Sequence, residues 1–99
     1  MVLNQFDRGM LEIFIDNMVM QATTEVKFYR IPHVKSSLQI LREEDFVYGM
    51  VYGKIWQFFI SYYTQAHPLT LPTQEEIDEV LGVILKRIRE VKEAIFHAG

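Results

Sequence analysis

Ile77, Leu81, Ile84, Ile88, Val91 and Ile95 follow one another at spacings of four, three, four, three and four. Residues three and four apart share one face of a helix, so the six form a single aliphatic seam. A seam this regular has to be covered by another helix, and it predicts a helix over about 73–97. The start of that helix is marked twice. Thr73, with Glu76 three residues on, matches a capping box. Glu75, Glu76, Asp78 and Glu79 crowd the first turns, and Lys86, Arg87, Arg89 and Lys92 come later, the order the helix dipole favours.

A second helix is predicted over about 43–65, with Glu43, Glu44 and Asp45 in its first turn. Lys54, Gln57, Ser61 and Thr64 fall in one polar sector, with Tyr48, Tyr52, Ile55, Trp56, Phe59 and Tyr63 opposite. Gly49 and Gly53 lie four apart beside this aromatic ridge, a spacing that lets another backbone approach closely. His67-Pro68 ends the element.

A first helix is predicted over about 3–23. Leu3, Phe6, Met10, Ile13 and Phe14 recur at helical spacing, and Arg8, Glu12 and Asp16 gather on a narrower polar side. Leu11, Ile15, Met18 and Val19 carry the apolar surface well past one stripe. A helix apolar over most of its circumference sits centrally in a core or is sandwiched between protomers.

Residues 25–41 admit two readings. Val26, Phe28, Tyr29 and Ile31, with Thr23 and Thr24 before them, combine β-branched and aromatic types with local alternation. Pro32 forbids a helix running smoothly through it. Leu38 to Ile40 alternate again after Ser36 and Ser37. The pattern favours a short extended or β-hairpin element over a first helix continued to about Arg30. The expected fold is therefore mainly α: a single domain over 1–99 with three principal helices and a small extended element.

Composition adds a surplus. At 99 residues, 49% hydrophobic and 13% aromatic, the chain carries more apolar side chains than so small a core absorbs. The excess points to self-association, with a dimer interface built from Phe6, Met10 and Phe14 of the first helix and Gly49, Gly53 and Trp56 of the second. A net charge of −3 argues against general affinity for nucleic acid or anionic membrane. Lys27, Arg30, Lys35 and Arg42 nevertheless fall in a stretch free of acids and interleaved with Phe28, Tyr29 and His33. Cations alternating with rings suit single-stranded nucleic acid, which gives an alternative reading as a nucleic-acid-binding accessory protein.

Chemistry is otherwise sparse. His33, His67 and His97 lie in separate segments. Glu93 and His97 share a helix face without the further ligands a metal site needs, and Glu12 with Asp16 reads as a solvated stripe. No nucleophile elbow, P-loop, dinucleotide fingerprint or zinc motif is present. No catalytic residue, metal or cofactor is expected, and the protein is expected to be non-enzymatic. Phe46–Tyr63 is long enough to span a bilayer, but central Lys54 and Gln57 argue against it. The opening Met1–Gln5 lacks the basic region and apolar run of a signal peptide, and cysteine is absent, so a cytoplasmic location is expected.

The run Glu43-Glu44-Asp45-Phe46-Val47-Tyr48-Gly49-Met50-Val51-Tyr52-Gly53, with Arg89, Ile95 and Phe96, resembles small helical proteins of archaea that have no assigned function. The resemblance covers about half the chain. It implies a cytoplasmic archaeal or archaeal-virus setting and supplies no site.

Overall fold

A computed structural model describes residues 2–97, which form four helices: α1 (Gln5–Arg30), α2 (Pro32–Ser37), α3 (Glu43–Ala66) and α4 (Gln74–Phe96). The long helices pack side by side in a body of 43 × 25 × 18 Å. α1 lies against both α3 and α4.

The extended element expected over 25–41 is not formed; no strand occurs among the described residues. α1 continues through Thr23, Thr24 and Val26 to Arg30. The reason lies in packing. Asp7, Leu11, Ile15, Met18, Ala22 and Val26 form one buried row on α1, with Leu3 buried just ahead of the helix, and Ala22 and Val26 are the row's fully buried continuation. The Thr23 hydroxyl donates to the Ala94 carbonyl of α4 (3.1 Å), and Glu25 meets Lys54 of α3 (3.2 Å). Burial against two helices outweighs a local β preference that is worth only about 1 kcal/mol.

The chain breaks where proline demands it. Ile31 takes an extended backbone, and Pro32 opens α2 at a position that needs no N–H. α2 closes in a Schellman motif: Gln39, at φ 57°, takes the left-handed position, the Gln39 N–H donates to Ser36 O (3.1 Å), and Ile40 N–H donates to Lys35 O (2.9 Å). Ile40 is buried beneath the turn.

α3 buries Val47, Val51, Ile55, Phe59 and Tyr63, a row advancing by four. α4 buries Val80, Val83, Ile84, Val91 and Ile95. Its inner face is thus turned slightly from the aliphatic seam: Ile84, Val91 and Ile95 are buried, while Ile77, Leu81 and Ile88 lie at the margin. The capping box at Thr73 and Glu76 is formed in both directions, at 3.2 and 2.9 Å. Arg87 of α4 ties this helix to Glu12 and Asp16 of α1.

Candidate functional site

α1 has its inward row in the core, Arg8, Glu12, Asp16 and Thr23 turned to α4, and Phe14 and Glu25 turned to α3. What remains is an outward stripe: Phe6, Met10, Ile13, Asn17, Met20, Thr24 and Lys27, at alternating spacings of four and three. Phe6 is 69% exposed, Ile13 49% and Met20 77%. Phe6 leans on the Tyr62 ring (6.1 Å between centroids), and Phe14 meets Phe58 and Tyr62 (6.0 and 6.2 Å). Half-exposed Phe58 of α3 therefore widens the apolar band. An uncovered band of this kind does no chemistry by itself; it gains free energy only when something apolar covers it.

The residues expected at an interface do not converge. Phe6, Met10 and Phe14 share the α1–α3 side. Gly49 and Gly53 are exposed, and a Cβ added at either would meet nothing within 4 Å. Nine residues, two and a half turns, separate Gly49 from Phe58, so the two point in opposite directions on α3. Trp56 belongs to the row Tyr48, Tyr52, Trp56, which is partly buried on the α4 side, with Lys92 Nζ 5.5 Å from the Tyr48 ring centre.

The basic segment is internally compensated. Arg30 and Lys35 both bind Glu43, at 3.0 and 2.8 Å, and Arg42 pairs with Asp45 at 3.3 Å. The Lys35 hydrogen bond, the backbone at Glu43 and Arg30 together hold the Glu43 carboxyl down at about 2. Tyr29 packs on Phe46 (4.9 Å) and so faces inward, while Phe28 is half exposed. Three of the four cations thus face carboxylates from the start of α3.

One polar cluster is not among the sites expected from the sequence. Asp7 is 2% exposed. One carboxylate oxygen accepts from the Tyr62 hydroxyl (2.5 Å), and the other bonds His67 Nε2 (2.8 Å). His67 stacks on Tyr63 (4.3 Å), whose hydroxyl donates to Glu76 Oε1 (2.9 Å). Burial and the Asp7 carboxylate push the Tyr62 hydroxyl up to about 12. Burial and Glu76 raise that of Tyr63 as well. The Thr73 N–H lowers Glu76 against its burial. An Asp–His couple can orient a general base, but both neighbouring hydroxyls already donate to carboxylates, and no cavity opens among the described residues. No group of three or more potential metal ligands comes together there either. The cluster joins the start of α1, the end of α3 and the start of α4. Its signal was legible: Asp7 lies four residues from both Leu3 and Leu11, a carboxylate in an otherwise apolar row.

No family model, curated protein or solved structure matches the chain. The outward face of α1 is the candidate site, on its own geometry.

Proposed function

We propose that the protein is a non-enzymatic assembly module that acts as a homodimer, using the outward face of α1. The observation that supports this is the apolar band of Phe6, Ile13 and Met20, which stays in water although the other side of the same helix is fully packed. Large exposed side chains aligned on one helix face are a property of surfaces that meet a partner. A second copy offers the same band, so one surface serves both sides of a two-fold interface. A cytoplasmic setting belongs to this reading: cysteine is absent, and no helix among the described residues is long and apolar enough to cross a membrane.

Sedimentation equilibrium tests the proposal. The native chain is expected to sediment as a dimer at micromolar concentration, and Met20→Glu as a monomer with its helical circular dichroism intact. A native chain that stays monomeric at several hundred micromolar rules the assembly reading out.

A further inference from the structure

The connection between α1 and α3 is held differently from the long helices. Among the described residues, none from 31–42 contributes a side chain to the continuous hydrophobic core, and α2 buries none of its six residues. A helix of that length gains little from its own turns, since isolated helices shorter than about 12–15 residues are marginal in water. No side chain caps its start, and it ends on Gln39, a non-glycine residue in the left-handed region. Two anchors hold it. Ile40 is buried in a spot of its own, outside the core. Glu43, the first residue of α3, accepts from Lys35 of α2 (2.8 Å) and from Arg30, the last residue of α1 (3.0 Å). One carboxylate thus ties three helices.

We infer that residues 31–42 form a strap, clasped by Glu43, that opens as a unit while α1, α3 and α4 stay packed. The inner rows of the long helices close on one another without any side chain from the strap, so the three-helix body does not depend on it. A segment with few buried apolar contacts opens locally at a fraction of the global free energy. Ile31 and Arg42, the non-helical residues at its two ends, are the hinges. Opening parts Lys35 from Glu43 and leaves the carboxylate with Arg30, which stays on α1. Lys35 is therefore compensated only while the strap is closed, and the charge shown at this end of the molecule changes with it.

Native-state amide hydrogen exchange, followed residue by residue in low urea, tests this. The N–H groups of Lys35, Leu38 and Ile40 donate within the strap, while Ile15 and Phe59 lie in the packed rows. The three strap amides are expected to exchange at least about a hundredfold faster than those two. Their rates should be nearly independent of urea, because local opening exposes little surface. Ile55→Val loosens the core and should speed the Ile15 and Phe59 amides by about fivefold while leaving the strap amides unchanged. Glu43→Gln should speed the strap amides by about tenfold. Strap amides that share the urea dependence of the core, or that follow Ile55→Val, open only with the whole molecule and overturn the inference. Strap exchange unchanged in Glu43→Gln removes the clasp and overturns it equally.

Discussion

Asp7 is a charge held nearly out of water, and its stability depends on how completely its oxygens are matched. Tyr62 and His67 supply a partner to each, while Asn4 Oδ1 accepts the Asp7 N–H (2.7 Å) at the helix start. Asp7→Ala leaves the Tyr62 hydroxyl and the His67 ring without their acceptor and opens a small gap. The expected loss is about 2–4 kcal/mol, read as a lower urea midpoint at unchanged slope. Tyr62→Phe removes one bond to the carboxylate and should cost about 1–2 kcal/mol. Glu43 gives a pH signature at the other end of the molecule. Its carboxyl titrates at about 2 in the folded chain against an ordinary value of 4.5. A folded-state value below the unfolded one contributes stability that is fully present above pH 4.5 and lost as pH falls towards 2. Glu43→Gln should therefore flatten the acid side of the stability profile between those values and leave its shape at neutral pH unchanged. An acid limb as steep in Glu43→Gln as in the native chain would show that the Arg30 and Lys35 contacts contribute nothing.

The elements differ in how far their own residues announce them. α4 was legible almost entirely, because its aliphatic spacing and its capping box are local signals. α3 was legible in its extent and in its acidic first turn. The end of α1 was not, because Thr23, Thr24 and Val26 are judged locally as strand formers, whereas their state is set by Ala94 and Lys54 from helices far along the chain. The double character of α1 was half visible. Its surplus of apolar positions marked it as sandwiched, but Phe6, Met10 and Ile13 cannot be separated from Leu11, Ile15 and Met18 until one set is seen to be buried. For the same reason Gly49 and Gly53 suggested a close approach that packing within the chain does not make. Once the two stripes are separated, Asn17 stands out as the polar member of the outer one. Asn17→Leu replaces it with an apolar residue in the middle of the proposed interface. Self-association should then tighten about tenfold, equivalent to about 1.4 kcal/mol. A dissociation constant unchanged by this substitution would place Asn17 outside the interface.

At the scale of the whole molecule, the proposed function gives α1 a part in both folding and assembly. It supplies the inner row against which both α3 and α4 pack, so the three-helix body cannot hold together without it. The same rigid helix presents the outer stripe, and anything that covers the stripe holds α1 in its folded position. A partner that binds only the folded chain stabilises it in proportion to the logarithm of its own concentration. For a homodimer that partner is the protein itself. The thermal midpoint should therefore rise with protein concentration, by several degrees over a hundredfold range for a chain of this length. Met20→Glu, which substitutes only a side chain that is 77% exposed, should abolish the dependence while leaving the midpoint of the dilute protein nearly unchanged. The two observations together separate an interface role from a core role. A core residue would lower the midpoint at every concentration, whereas a residue of the outer stripe lowers it only where the dimer is populated. Scanning calorimetry of both proteins across that range decides between them, and equal midpoints for the native chain at the two extremes would sever assembly from stability.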